Sequence, residues 1–419
     1  MPQTPFTRRA FMHRGLTMLS AGLTVPGFLG QTAWAMADPL DAKLTQAATG
    51  TDGRVLVVVQ LSGGNDGLNT VVPVGDDAYH RARPAIGKRA GDVIRVNDYL
   101  GMNRSLEPLE QLFGDGLGQT VLGVGYPNPN RSHFRSMDVW HSADPDSEVV
   151  RDGWLGRYFD AQCAGADPAE ADATVGIGVG DELPLAMQGQ TVTPMTFERP
   201  EDYRYAGLAE REHLQMAEAA RTGDRGDALD FLTRTTLDAK ASSDRVLAAV
   251  GSFDGQGDYP AGEFGSGLRS VAAMIAANLP TRVYYVSLGG FDTHANQPGR
   301  HDRLLAEYAR GVRAFWDDLR RLGHAERTLM MSFSEFGRRV AQNGSNGTDH
   351  GAAAPMFLFG PSVKPGVLGT HPSLTDLDNG DLKFTADFRA VYATVLQDWL
   401  KEDPTPILGG RDTLPLLQV

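Results

Sequence analysis

Six apolar runs along the chain predict buried β-strands. The clearest is Arg54–Leu61, a continuous run rich in β-branched residues that ends at Ser62-Gly63-Gly64. An apolar run without polar alternation is typical of a strand that is buried on both faces of a sheet. The other five runs are Thr120–Gly125, Ala173–Val179, Arg282–Leu288, Arg327–Phe333 and Met356–Phe359.

Helical patterns lie between several of these runs, for example Arg303–Leu322 and Phe388–Leu400. This alternation predicts an α/β fold of three αβα layers, in which helices cover both faces of a largely parallel central sheet. Asp202–Val250 is polar, rich in Ala, Arg and Glu, and helical in pattern, which predicts an inserted helical cap. The glycine-rich stretch Gly251–Gly267 is interpreted as the loop that returns from the cap to the core.

The first 37 residues have the pattern of a twin-arginine signal peptide. Arg8 and Arg9 precede a short apolar stretch, Leu16–Leu29, which is followed by the small-residue segment Ala33–Ala37. Glycine and proline interrupt the stretch, and it is shorter than the roughly 20 residues that a membrane span needs. We therefore expect cleavage, export by the twin-arginine translocation machinery to the periplasm or outside the cell, and no permanent membrane anchor. The folded domain would then be 38–419.

Net charge, cysteine content and glycine patterns argue against several classes of function. The chain carries a net charge of −13, and removal of the signal, with three arginines and no acid, makes this −16. Such an acidic protein is not expected to bind nucleic acid by charge. A single cysteine, Cys163, excludes an internal disulfide, so stability must come from a packed core, with or without a metal. The chain also lacks the glycine patterns of phosphate-binding and dinucleotide-binding loops.

Polar residues follow the apolar runs at five places. In an open parallel sheet, ligands bind beyond the carboxyl ends of the strands. Converging carboxylates and imidazoles suit zinc, manganese or iron. A divalent metal site is therefore predicted, although each residue alone could also cap a turn or a helix, or pack in the core. The five segments are Ser62–Gly67, Asn130–Ser136, Gly289–His294, Ser334–Arg339 and Thr348–Gly351, with His301 a little further along the chain.

Together these motifs resemble an exported family catalogued as domain of unknown function 1501, which has an alkaline-phosphatase-like core. The segments that carry the resemblance are Gly63–Gly67, Ser132–Phe134, Gly290–His294, Ser334–Arg338 and Asp349–Gly351. The resemblance implies that Ser132 is a nucleophile. It also implies a set of metal ligands, namely Asp66, Asp292, Glu335 and His350.

Three positions depart from the superfamily's pattern. Phe336 stands where a histidine ligand is expected, so one of two metal sites would be weak or absent. No histidine stands four residues after Asp292, which leaves His294 and His301 as rival ligands. Phe134 replaces the proline of the formylglycine sulfatase motif, and Cys163 has no such surroundings either, so a sulfatase of that kind is not expected.

The predicted activity is the metal-dependent hydrolysis of a small phosphate or sulfate ester. His133 would act as an acid or base beside Ser132. Arg131, Arg135 and Arg338 are assigned to substrate binding, because guanidinium groups match anionic esters in bidentate fashion. Asn65 is assigned to substrate binding as well. The metal would be zinc, manganese, iron or calcium. The alternative is a degenerate, non-catalytic member that binds a ligand, a metal or a partner. Asp376–Asp381 weakly resembles a calcium loop, but an acidic surface turn is preferred there.

Overall fold

The computed structural model describes residues 53–162, 173–192, 194–201 and 243–418. The predicted signal peptide, Cys163 and most of the predicted cap lie outside the described residues. The described end of the cap, 243–250, is helical. None of the helices in the described part of the chain is long and apolar enough to cross a membrane.

The strands follow the apolar runs closely. Each of the six runs contains a strand, although Ala173–Val175 is a 3₁₀ turn that precedes its strand. In chain order the strands are β1 Val55–Leu61, β2 Val71–Val72, β3 Val93–Arg95, β4 Gly101–Asn103, β5 Gly118–Gly125, β6 Gly176–Val179, β7 Met195–Phe197, β8 Val283–Leu288, β9 Thr328–Phe333, β10 Ala354–Phe359, β11 Gly366–Leu368, β12 Leu377–Asp378, β13 Asp381–Leu382 and β14 Ala386–Asp387.

Nine of the described strands form the central sheet. Their order is β11-β5-β10-β9-β1-β8-β6-β7, and β14 also pairs with β5. The only antiparallel neighbours in this described sheet are the pairs that β10 makes with β5 and β9. The other pairs are parallel, which confirms the prediction of a largely parallel sheet.

The helices of the described chain cover both faces of this sheet. One correction concerns Gly251–Gly267, which was interpreted wholly as a loop, because a helix already begins at Glu263. Phe264, Leu268 and Val271 continue one apolar helix face that the glycines obscured. Apart from the helical end of the cap, the α-helices of the described residues are α1 Gly67–Thr70, α2 Asp77–Ala82, α3 Glu110–Gly114, α4 His133–Ser142, α5 Trp154–Gln162, α6 Glu263–Ala276, α7 Gln297–Leu322, α8 Phe388–Thr394 and α9 Thr405–Leu408, and a π-helix, Val395–Leu400, continues α8.

Alternate residues of β1 enter two different hydrophobic cores. Val55, Val57 and Val59 pack with residues of α6 and α7 on one face. Leu56 and Val58 pack on the other face with residues of α4, α5 and α8. The strand is therefore buried on both sides, as its unbroken apolar pattern indicates. The result is the predicted three-layer αβα arrangement.

The strand directions bring all five polar segments to one edge of the sheet. Three of the segments follow the adjacent parallel strands β1, β8 and β9. Asn130–Ser136 follows β5, and Thr348–Gly351 precedes β10. Because β10 runs antiparallel to its neighbours, its beginning lies at the same edge as their ends. The topology thus assembles one polar site from distant parts of the chain.

The acidic segment Asp376–Asp381 is a hairpin and not a calcium loop. Strands β12 and β13 pair antiparallel around Asn379 and Gly380, both of which have positive φ. This is the turn chemistry that a tight hairpin requires. Asp381 is buried and accepts a hydrogen bond from Arg131 at 2.7 Å.

Candidate metal centre

Three histidine side chains and one aspartate converge at the polar edge of the sheet. The Nε2 atoms of His294 and His350 lie 2.9 Å apart, and each is 3.1 Å from Oδ1 of Asp292. Nε2 of His133 lies 3.6 Å from the other carboxylate oxygen of Asp292. His133, Asp292 and His350 offer donor atoms that all lie within 4.8 Å of one another. The side chains are half-buried or exposed, so the cluster is open to small molecules.

Each of these imidazoles is held through its other nitrogen. Nδ1 of His133 lies 2.9 Å from the buried carboxylate of Glu335. Nδ1 of His350 lies 2.7 Å from the carbonyl oxygen of Arg131, and Nδ1 of His294 is 3.3 Å from Asp349. Because the partners are carbonyl or carboxylate oxygens, which accept, each Nδ1 is the donor. In the neutral rings, each Nε2 then presents a lone pair to the cluster.

These donor atoms fit a divalent metal ion. Two lone pairs 2.9 Å apart, on His294 and His350, cannot bond to each other and need a cation or a proton between them. Zinc bonds of 2.0–2.1 Å in tetrahedral geometry place ligand atoms about 3.3 Å apart. The four separations given above, which run from 2.9 to 3.6 Å, bracket that value. Neutral imidazole nitrogens with a carboxylate suit zinc, manganese or iron.

Local electrostatics favour the charge states that a metal ligand needs at Asp292 and His350. Burial alone would raise the pKa of Asp292, but the hydrogen bond and the positive charge of Arg338 oppose it, and the pKa is lowered to about 2. The carboxyl group is therefore ionised throughout the neutral range. Burial lowers the pKa of His350, which favours its neutral form. The hydrogen bond to Glu335 instead raises the pKa of His133, which favours its charged form, so a metal would compete with a proton at this imidazole.

The buried side chain of Arg338 supports the site through hydrogen bonds. Its side chain is fully buried, and it donates to Asp292 at 2.8 Å. It also donates to the carbonyl oxygens of Gly64, Thr348 and Phe291 at 2.8 to 3.0 Å, and to that of Gly63. The residue was assigned to substrate binding, but a guanidinium with no exposed surface cannot reach a substrate. Its contacts instead fix three of the polar segments relative to one another.

Glu335 and Phe336 shape the back of the cluster. Glu335 is buried and accepts hydrogen bonds from His133 and from the amide of Gly63 at 2.8 Å, so it orients an imidazole and does not face the cluster as a ligand. The ring of Phe336 packs 4.9 Å from that of His133 and 4.6 Å from that of His350, centroid to centroid. The position where a second nitrogen ligand was expected therefore holds an apolar wall.

Asp66 and His301 were predicted as ligands but lie in a separate buried cluster. Asp66 forms an ion pair with Arg83 at 2.6 Å, and both side chains are fully buried. Burial would raise the pKa of Asp66, but Arg83 outweighs it and lowers the pKa. Nε2 of His301 donates to Oδ1 of Asn65 at 2.9 Å, because that amide oxygen can only accept. Asn65 is buried as well, away from any substrate. The geometry thus selects His294 over His301.

Ser132 and its neighbours stand at the rim of the site. Ser132 is exposed at the N-terminus of α4, directly before His133 and directly after Arg131. Arg131 donates to Asp381, and Arg135 donates to the carbonyl oxygen of Pro145 at 2.7 Å. The first amides of a helix have no intrahelical acceptor and favour anions. Ser132 is therefore beside the cluster, while both arginines have other partners.

Sequence reasoning missed two residues of this region. Asp349 lies in the motif Asp349–Gly351 and has no role among the predicted site residues, although a carboxylate next to a predicted histidine ligand is a detectable signal. Arg83 carried no signal, because nothing in the sequence pairs it with Asp66, which is 17 positions away.

Residues 54–398 match the family described as protein of unknown function (DUF1501), and the chain belongs to this family. This confirms the resemblance carried by the motifs. No curated protein matches the chain.

Solved structures provide distant comparisons. The chain is similar to the lipoteichoic acid synthase LtaP from Listeria monocytogenes, with 10% identity over 78% of this chain and 73% of that chain and a TM-score of 0.34. The PsFucS1 sulfatase from Pseudoalteromonas sp. shows 11% identity over 81% and 70%, with a TM-score of 0.33. A protein in the alkaline phosphatase superfamily from Vibrio parahaemolyticus shows 8% identity over 75% and 62%, with a TM-score of 0.31. Nothing about the activity of this chain follows from similarity at this level.

Proposed function

We propose that this DUF1501 member is an exported, metal-dependent hydrolase of phosphate or sulfate esters that holds one divalent ion. The residues that would hold the ion are His133, Asp292, His294 and His350. The observation that carries the proposal is the convergence of three Nε2 atoms on one carboxylate, with every Nδ1 tied to an acceptor. Such an arrangement is typical of a metal centre with an ordered outer layer of hydrogen bonds.

The surroundings of the site support one bound metal ion and not two. Asp66 is neutralised by Arg83, and Glu335 is engaged by His133 and Gly63. Phe336 fills the space beside the two histidines that it contacts. Among the described residues, these positions offer no second set of three ligands.

The reaction would use the residues at the rim. A bound divalent ion supplies positive charge next to an anionic ester and lowers the pKa of a nearby hydroxyl group or water. Ser132 presents its hydroxyl group at the start of α4, beside His133. The free amides of that helix end can donate hydrogen bonds to the ester oxygens and stabilise the negative charge that develops on them. We assign Ser132 as the nucleophile and the start of α4 as the anion-binding element.

One observation favours the alternative of a non-catalytic metal- or ligand-binding protein. Of the three arginines expected to hold the ester, Arg338 is buried, and Arg131 and Arg135 each have another acceptor. An ester would then be held by the metal and by backbone amides, without a guanidinium clamp. The two functions separate in the Ser132→Ala variant, because a hydrolase loses turnover and keeps its metal, whereas a binding protein keeps its function.

Metal content is the first test. We expect about one zinc, manganese, iron or calcium ion per wild-type chain by elemental analysis, and loss of most of it in His294→Ala and in His350→Ala. The exposed His80 provides the control, because His80→Ala removes an imidazole that lies outside the cluster and should leave the metal in place. A wild-type protein without metal, even after incubation with each ion, would rule out the proposal.

Activity is the second readout of that experiment. Aryl phosphate, aryl phosphodiester and aryl sulfate substrates release a coloured phenol. Hydrolysis that is lost on metal removal and in Ser132→Ala supports the hydrolase. A metal-loaded protein that cleaves none of the three esters supports the binding alternative.

Export by the twin-arginine route is part of the same proposal. Because this route depends on the arginine pair, the Arg8→Lys/Arg9→Lys variant should accumulate in the cytoplasm with its signal uncleaved, as cell fractionation would show. Arg14→Lys, in the same segment, is the matched control and should leave export intact. Equal export of all three proteins would contradict the pathway.

A further inference from the structure

The side chain of Gln297 bridges the two loops that carry three of the proposed ligands. Gln297 is the first residue of α7, and it is fully buried. Its Oε1 accepts from Thr293 Oγ1 at 3.2 Å and from Thr348 Oγ1 at 2.5 Å. Thr293 lies between Asp292 and His294, and Thr348 lies two residues before His350. One amide oxygen thus joins the two loops.

The hydrogen bond made by the amide nitrogen of Gln297 fixes the orientation of this amide. Nε2 of Gln297 donates to Oδ2 of Asp66, an oxygen that can only accept. The same carboxylate oxygen accepts from Nη1 of Arg83 at 2.6 Å, and all the side chains involved are buried. Arg83 is in turn held by the carbonyl oxygens of Val340 and Arg339, both at 2.8 Å. The amide therefore has a single orientation, with its oxygen toward the two threonines.

We propose that Gln297 is a positioning residue, which holds Asp292, His294 and His350 at metal-binding separations through Thr293 and Thr348. The inference rests on the proposed function, because it presupposes the metal centre. It also gives the buried Arg83–Asp66 ion pair a structural role next to that centre. Asp66 then acts as the anchor of the bridge and not as a ligand. Loss of an outer hydrogen-bonding partner commonly weakens metal binding by 10-fold to 100-fold.

The test compares Gln297→Met with a matched variant elsewhere. Methionine keeps the approximate volume and removes both the acceptor and the donor. Gln119→Met is the control, because Gln119 is also buried and donates to two backbone carbonyl oxygens, those of Lys364 and Leu416. It lies near the beginning of β5, at the end of that strand opposite the site. Both variants lose a buried amide, and only one loses the bridge.

Zinc retention by the metal-loaded protein is measured in competition with a chromophoric chelator. We expect Gln297→Met to bind zinc about 10-fold to 100-fold more weakly than wild type, and Gln119→Met to bind it as wild type does. In cobalt-substituted protein, the visible absorption bands should change in Gln297→Met alone, since they report ligand geometry. Equal zinc affinity in Gln297→Met and wild type would overturn the inference and leave the proposed metal centre standing.

A double-mutant cycle tests the bridge itself. Thr293→Val/Thr348→Val replaces the two hydroxyl groups by methyl groups and should weaken zinc binding to a similar degree. Combined with Gln297→Met it should add little, because both changes break the same contact. Fully additive losses would overturn the bridge. A wild-type protein that holds no metal would instead overturn the proposed function, and this inference with it.

Discussion

At the scale of single residues, Gly64 makes room for the aromatic wall of the metal centre. Its φ of +79° lies in the left-handed region, and a Cβ built there would lie under 3.0 Å from the Phe336 ring. The Phe336 ring in turn packs on His133 and His350. A side chain at position 64 would therefore have to move a ring that supports two proposed ligands.

Gly64→Ala is expected to lower both stability and metal affinity. An alanine with positive φ costs about 1 to 2 kcal/mol, and overpacking adds about 1 to 3 kcal/mol. We therefore expect the free energy of unfolding in urea to fall by about 2 to 5 kcal/mol, with weaker zinc retention.

Gly323→Ala separates the cost of the backbone conformation from the cost of overpacking. Gly323 has nearly the same φ, +78°, but nothing lies within 4 Å of its would-be Cβ. This variant should lose only the backbone cost and keep its zinc affinity. Equal losses of stability in the two variants would contradict the role given to Phe336.

At the scale of elements, strand positions could be predicted because burial on both faces leaves an unbroken apolar pattern. All six apolar runs contain strands, and α7 begins only six residues before the predicted helix at Arg303. Strand direction could not be predicted in the same way. The run Met356–Phe359 has the same pattern in either direction, and only its pairing shows that β10 is antiparallel.

The site could be predicted in part for a related reason. A parallel sheet brings strand ends together, so the five polar segments were expected at one edge, and the structure places His133, Asp292, His294 and His350 in contact there. The positions of Asp66, Arg338 and His301 depended on partners that no local pattern identifies. Arg83, the partner of Asp66, belongs to the irregular segment after α2, and a buried ion pair leaves no periodic trace in the sequence.

At the scale of the whole molecule, a histidine in the core couples stability to pH. His141 of α4 is buried between the sheet and the helix layer that contains it, with Nε2 at 2.9 Å from Gln60 Oε1 and 3.2 Å from the Tyr285 hydroxyl. Burial lowers its pKa to about 3, from 6.5 in an exposed histidine. The imidazole is therefore neutral in the folded protein over a range where the unfolded chain takes up a proton.

This difference predicts a loss of stability on acidification that is specific to His141. Between pH 6.5 and pH 3 the unfolded state binds more protons, so the free energy of unfolding falls as the pH falls, by about 1.4 kcal/mol per pH unit. From pH 7 to pH 5 the contribution of His141 is about 2 kcal/mol. Glutamine stays neutral over this range, so His141→Gln should lose about 2 kcal/mol less than wild type, as measured by urea unfolding at the two pH values.

Metal release in acid affects both proteins alike and cancels in the difference, and His80→Gln, on the surface, should behave as wild type. Parallel pH profiles for wild type and His141→Gln would show that the buried imidazole does not control this part of the stability.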